Sequence, residues 1–406
     1  MKLLAIETSC DDTGVSIIEA KGARPKIFGK DFKILAETVS SQEKLHSEYG
    51  GVFPSLAKRE HQKNIIPILT KVLKKAGLLK PMKPASVRQL ADYGEAKPTF
   101  AKARARQGKL KRLEKILERN PELLCNLKTF LGEYQKPRID KLAVTIGPGL
   151  EPCLWVGVNF AKALGFYWDL PIAGVNHIEA HIWSGWLTQS KAPTFPAIGL
   201  AVSGGNTQLI IIKGVGKYKL IGETRDDAAG ECFDKTARIL GLGYPGGVEI
   251  AKWARKFKDP KYDIHLPRPM IREPNFDFSF SGLKTAVLYD FEKRSKQTQK
   301  SPDYIAEMAK EIQNSISEVL ISKTMSSVAK YGVESVILGG GVSANLHLSQ
   351  AFKKECKARK IACFLPGKRY TADNASMIAL TALASPKAKI YGYKNIKPKS
   401  NLKING

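Results

Sequence analysis

The chain has 406 residues, 43% of them hydrophobic, enough to bury a sizeable core and to divide into two lobes with appendages. Its 65 Lys plus Arg against 38 Asp plus Glu leave a formal charge of +27, which attracts a polyanion, nucleic acid being the leading candidate. Six scattered cysteines with no C-x-x-C spacing argue against a zinc ribbon or a disulfide framework, and no apolar run has the length of a signal peptide core or a bilayer span, so a cytoplasmic protein with no membrane contact is expected.

In chain order, the first predicted element is a hairpin from Leu3 to Ile18 whose polar turn carries Asp11. Asp11 is a candidate for proton handling or ligand orientation, weighed against a plain turn-capping role. Residues 81–138 break the pattern with 14 Lys/Arg against 6 Asp/Glu, a local excess of +8. Their centre, 102–117, reads as a strongly basic helix with a short Leu/Ile seam, suited to RNA phosphates, to a partner or to simple solvation. A strand over Leu142–Ile146 leads into the turn Gly147-Pro-Gly149.

The segment Val175–Ile182 reads as a helix that places His177 and His181 on one face, four residues apart, able to chelate one metal. Such a pair needs a third ligand, for which Asp373 is the candidate. Glu179 projects to the other side of that helix, and Ile178 stands where an H-E-x-x-H protease has its Glu, which weakens a metallopeptidase reading.

A second hairpin, Ile198–Ile212, repeats the plan of the first about half a chain later and predicts a duplicated α/β lobe with a cleft between the copies. Ser301-Pro-Asp303 opens a long helix reaching about Tyr331. After the strand Val333–Leu338, the glycine turn Gly339–Asn345 leads into another helix, an anion or nucleotide platform that lacks the Gly-Lys-Ser/Thr of a Walker loop. The tail Lys387–Lys403, with six lysines and no acid, is expected to fray unless a ligand orders it.

Ten motifs together resemble the bacterial tRNA N6-adenosine threonylcarbamoyltransferase family, TsaD, formerly described as a glycoprotease. They are Ile6-Glu-Thr-Ser-Cys-Asp-Asp-Thr-Gly14, Tyr49-Gly-Gly-Val-Phe-Pro54, Gly147-Pro-Gly-Leu150, His177-Ile-Glu-Ala-His181, Ala201-Val-Ser-Gly-Gly-Asn-Thr-Gln208, Ala228-Ala-Gly-Glu-Cys-Phe-Asp-Lys-Thr-Ala237, Tyr244-Pro-Gly-Gly247, Phe280-Ser-Gly-Leu-Lys284, Gly339-Gly-Gly-Val-Ser-Ala-Asn345 and Thr371-Ala-Asp-Asn374. The resemblance implies an α/β, two-lobed, duplicated actin-like and sugar-kinase-like ATPase fold, here with a basic helical insertion. In that frame residues 1–192 form the N-terminal lobe, with the insertion at about 81–138. Residues 193–375 form the C-terminal lobe, and 376–406 a helix returning to the first lobe followed by a basic tail.

The resemblance further implies one divalent metal per subunit on His177, His181 and Asp373, iron(II) favoured over zinc. It implies an adenine nucleotide, threonylcarbamoyl-AMP or ATP, bound by Ala201, Val202, Ser203, Gly204, Gly205, Asp234, Gly247 and Asn345. Ser203 and the glycines would offer backbone donors, Asp234 would accept from a sugar hydroxyl and Asn345 would address the nucleoside. The implied reaction transfers threonylcarbamoyl to N6 of the adenosine 3′ of the anticodon in tRNAs reading codons that begin with A. Implied partners are tRNA, an inactive paralogous subunit, a small P-loop ATPase and a synthase supplying the adenylate. The rivals are an ATP-dependent kinase or hydrolase of the same fold and a non-catalytic assembly subunit. Asp12 stands where the family commonly has Glu, Asn206 where it often has His, Glu151-Pro152 alters the loop after Gly149, and the insertion has no family counterpart.

Overall fold

A computed structural model describes residues 1–22, 27–29, 31–82, 108–385 and 390–404. The first lobe runs through strands β1 (Lys2–Glu7), β2 (Asp12–Ala20) and β3 (Phe32–Ser41), and helices α1 (Glu43–Ser47), α2 (Pro54–Lys75), α3 (108–116) and α4 (Pro121–Glu133). It continues through β4 (Lys141–Gly147), α5 (Glu151–Trp168), β5 (Ile172–Asn176) and α6 (His177–Trp183). Unbroken apolar runs make β1 and β4 central strands buried on both faces, and α5, apolar on nearly every side, lies beneath them.

The second lobe runs through β6 (Ala197–Val202), β7 (Thr207–Gly214) and β8 (Lys217–Glu223), then α7 (Ala229–Ile239), α8 (Gly246–Ala254), α9 (Ser281–Lys293), α10 (Lys296–Gln299) and α11 (Pro302–Tyr331). It closes with β9 (Ser335–Gly339), α12 (Leu346–Ala358) and β10 (Ala362–Phe364). Pro302 opens α11 at its first turn, where a missing N–H costs nothing, and Gly332 ends it in the left-handed conformation. Ser301 does not cap that helix through its side chain; its hydroxyl takes the Tyr262 OH at 3.0 Å.

The two sheets have one plan. The first orders its strands β3-β2-β1-β4-β5 and the second β8-β7-β6-β9-β10. In both, the first three strands are antiparallel and the last two join parallel to the first. That repeat is the duplication anticipated from the two hairpins, and it makes the fold the α/β, actin-like kind.

Two elements tie the lobes together. Helix α6 buries Ile178, Ile182 and Trp183 against Ala201, Ile210 and Ile337 of the second sheet. Helix α13 (Ala375–Ala384) follows the second lobe yet packs Met377, Ile378 and Ala379 on Leu3, Ala5 and Ile18 of the first.

From residue 390 to 404 the tail does not fray, while 387–389 lie outside the described residues. Strand β11 (Ile390–Tyr391) adds antiparallel to β5, Ile396 and Ile404 are buried, and Lys399 N–H donates to Ile146 O at 2.7 Å. Apolar residues spaced through the lysines supply the burial that a charge count overlooks.

Within the insertion, Leu113, Leu117, Leu123 and Leu127 join the core of Ile65, Leu69 and Leu142, so α3 and α4 are rooted in the first lobe. Residues 102–107 of the basic helix lie outside the described residues. Among the described residues, no helix is long and apolar enough to cross a membrane.

Candidate metal centre and nucleotide cleft

The segment read as one helix over 175–182 is a strand end followed by a helix start. Asn176 closes β5, and its Oδ1 accepts from Ile178 N at 2.8 Å and Glu179 N at 3.1 Å, which starts α6 at His177. One turn later comes His181, so both imidazoles share a face as their spacing requires. Asp373 arrives from the loop before α13, where Asn374 caps that helix by accepting from Met377 N at 2.9 Å.

The three side chains meet. The His177 and His181 Nε2 atoms are 3.0 Å apart, and Asp373 Oδ1 lies 3.4 Å from the first and 3.0 Å from the second. Donors held at about 2.1 Å from one ion and about 90 to 110° apart are separated by about 3.0 to 3.4 Å, so the spacing fits a single divalent cation. Both histidines are buried and Asp373 nearly so.

Glu7, fully buried at the end of β1, orients the first imidazole. It accepts from Ser9 N at 2.6 Å and from the Thr145 hydroxyl, and its Oε2 lies 3.3 Å from His177 Nδ1, where Ser9 Oγ also sits at 3.2 Å. A proton on Nδ1 leaves the Nε2 lone pair facing Asp373, the outer-shell arrangement that sharpens metal ligation. Sequence reading missed Glu7. A carboxylate ending the apolar run Leu3–Ile6 was the available signal, since a charge is rarely buried without a task.

The electrostatics favour a cation in this spot. Burial alone would raise the Asp373 carboxyl, but His177 and the His181 hydrogen bond outweigh it and hold it at about 2. Burial lowers His177, yet Asp373 and Glu7 outweigh that and raise it to about 9, whereas burial and the neighbouring His177 lower His181. Burial, joined by Asp373 and Asp11, pushes Asp12 up to about 8, and its Oδ1 is buried without a partner. Asp11 and Asp12, both raised by burial and by Asp373, thus stand beside the three converging donors, where a cation would favour their ionised forms.

Asp373 and His177 open into a cleft of about 1800 Å³ between the lobes. Asp11, Ser203, Gly204, Gly205, Asp234, Gly247 and Asn345 also line it. Ala201 and Val202 do not; they are buried within β6. Glu179 faces away and accepts from the Tyr218 OH at 2.8 Å.

Two of the anticipated donors are already engaged. Ser203 N–H donates to Asn206 O at 2.8 Å, closing the turn, which leaves Gly204 and Gly205, with open space above them, as the approachable backbone. Asn345 uses Oδ1 to cap α12 at Leu348 N, 3.1 Å away, and donates through Nδ2 to Gln313 at 3.1 Å. Burial pushes Asp234 up to about 6, against the pull of the Gly246 amide that donates to it at 2.7 Å.

Close backbone approach explains the glycine turn. A Cβ on Gly339 would meet His181 O at 2.3 Å, and one on Gly340, whose φ is +96°, would meet Val202 O at 2.3 Å. The turn is bare so that the histidine helix can sit against the second sheet.

Twin α/β lobes enclosing a glycine-lined cleft, with a two-histidine, one-aspartate donor set at its floor, define an actin-like protein with a metal-competent site. The model of the tRNA N6-adenosine threonylcarbamoyltransferase family matches residues 33–81 and 131–380, leaving out residues 1–32, most of the insertion and the tail. A tRNA N6-adenosine threonylcarbamoyltransferase of Persephonella marina is 36% identical over 400 residues, covering 98% of this chain and 91% of its own. Another, of Polynucleobacter asymbioticus, is 37% identical over 417 residues, covering 100% and 99%. The chain belongs to this family. Among solved structures, the Acidaminococcus fermentans (R)-2-hydroxyglutaryl-CoA dehydratase component A aligns over 94% of this chain and 98% of its own at 13% identity and a TM-score of 0.44.

Proposed function

We propose that this chain transfers a threonylcarbamoyl group from threonylcarbamoyl-AMP to N6 of the adenosine 3′ of the anticodon in tRNAs reading codons that begin with A. In the step, the N6–carbonyl bond forms, the bond from that carbonyl to the phosphate oxygen breaks, AMP leaves, and N6 gives up one proton. The amine lone pair is delocalised into the ring, so rate comes from positioning and from an electrophilic carbonyl.

The observation that carries this is one cleft lined both by the Gly204–Gly205 turn and by His177 and Asp373, which meet the buried His181 behind them, in a chain of this family. His177, His181 and Asp373 hold one divalent ion, iron(II) in preference to zinc, and when bound it supplies Lewis-acid polarisation without a change of oxidation state. Gly204 and Gly205 receive the phosphate through their backbone, and Asp234 and Gly247 the nucleoside end. Asp11, whose carboxyl is raised by burial, takes the N6 proton.

The partners in this scheme are tRNA, an inactive paralogous subunit, a small P-loop ATPase and the synthase that supplies the adenylate, all in the cytoplasm. The basic insertion adds phosphate contacts to tRNA, so replacing its exposed Lys111, Lys115 and Arg119 with Ala flattens the salt dependence of binding. A kinase of the same fold would phosphorylate a small metabolite without tRNA, and a scaffold would tolerate His177→Ala. Mass spectrometry of tRNA nucleosides after incubation with threonine, bicarbonate, ATP, the synthase and the helper proteins, with and without this chain, tests the proposal. Threonylcarbamoyladenosine formed only with the chain supports it, and its absence in both arms counts against it.

A further inference from the structure

Large hydrophobic side chains rarely stay in water in a cluster unless they serve as a contact surface. Four of the nine exposed in the described residues, Tyr49, Phe53, Val248 and Leu346, line the one cleft that holds the candidate site. Tyr49 and Phe53 are 61% and 55% exposed and their rings are stacked, centroids 6.2 Å apart at 29°.

Their loop is held firmly although its rings are not covered. The buried His46 accepts from Phe53 N at 3.4 Å through Nδ1, and its carbonyl accepts from Tyr49 N and Gly51 N, each at 3.1 Å. Arg238, from α7 of the other lobe, donates to Gly50 O. Such a loop presents two flat faces at little ordering cost. Around the same opening stand the exposed cations Arg255, Lys353 and Lys368, with Lys403 beside them in an ion pair with Glu223.

Resting on the proposed acyl transfer to tRNA, we infer that Tyr49 and Phe53 form a stacking shelf for bases of the single-stranded RNA loop that carries the target adenosine. The target base must leave its stack to reach the cleft floor, and exposed aromatic faces at the mouth replace the stacking it and its neighbours lose. Rim cations meet the phosphates that accompany those bases. A protein partner seated on these rings would close the opening through which the RNA has to enter.

The test uses the full chain and an anticodon stem-loop with 2-aminopurine beside the target position. The wild type quenches the probe. The double variant Tyr49→Ala, Phe53→Ala loses the quench, binds the stem-loop about ten-fold or more weakly and raises the KM for tRNA by a similar factor. The KM for threonylcarbamoyl-AMP stays within about two-fold, and Tyr49→Phe with Phe53→Tyr restores RNA binding. Unchanged stem-loop affinity and quench in the alanine variant overturn the shelf while leaving the transferase reading intact. Loss of helper-protein binding with RNA affinity preserved overturns it too, by making the shelf a protein contact. A wild type that neither binds nor modifies the stem-loop overturns both.

Discussion

Glu7 and His177 meet at 3.3 Å across 170 residues of chain, the carboxylate of the first strand against the imidazole of the helix that follows β5. The pairing joins the start of the first sheet to the candidate metal centre and sets which nitrogen of His177 is left for an ion. Glu7→Gln keeps the volume and removes the charge. Metal affinity is expected to fall about 10- to 100-fold with the fold retained, measured by competitive metal titration and thermal melting. Wild-type affinity in the variant means that Glu7 is a structural group only.

Gly339 tests how closely the histidine helix must approach the second lobe. Alanine there forces a shift against His181 O, whereas Gly341 has no neighbour within 4 Å of an added Cβ. Gly339→Ala should lower unfolding free energy by about 1–3 kcal/mol, and Gly341→Ala should leave it unchanged. Equal denaturation midpoints for the two variants speak against the contact.

Asp234 gives a pH signature. Its native carboxyl keeps its proton up to about 6, against 3.8 for an ordinary one, so the stability it contributes is full below 3.8 and is lost as pH rises through 6. Ligand binding runs the other way, because the ionised group is the better acceptor for a sugar hydroxyl. Adenosine affinity measured by calorimetry should therefore drop between pH 7 and 5 with a midpoint near 6. Asp234→Asn should remove that step, and an identical profile in both proteins rules out the contact.

The tail buttresses the site. Gly149 N–H donates to Ser400 O at 3.1 Å, and the Asn176 amide that starts the histidine helix reaches Lys403 O at 3.3 Å. Ending the chain after Pro398 is expected to lower the melting temperature and raise the KM for the adenylate. Unaltered kinetics in a folded truncation would mean that the tail only fills space.

The parts of this molecule that the sequence reveals are those governed by local pattern. The two hairpins, the His177–His181 spacing and the long helix from Pro302 all follow from apolar periodicity and turn chemistry. Contacts made at long range were hidden. Glu7 reads as one acid at a strand end until the fold brings His177 to it, and the Asn345 amide reads as a ligand donor until Leu348 and Gln313 engage it. The tail misleads because lysines dominate its composition while Ile396 and Ile404 determine its position.

Acyl transfer to tRNA is expected to need an ion held jointly by His177, His181 and Asp373. The most direct measurement is metal content per chain together with threonylcarbamoyladenosine formed in the reconstituted reaction, for the wild type, His181→Ala and Asp373→Ala. About one ion per chain and modified tRNA are expected for the wild type, with both lost in each folded variant. Variants that make threonylcarbamoyladenosine at the wild-type rate contradict that requirement.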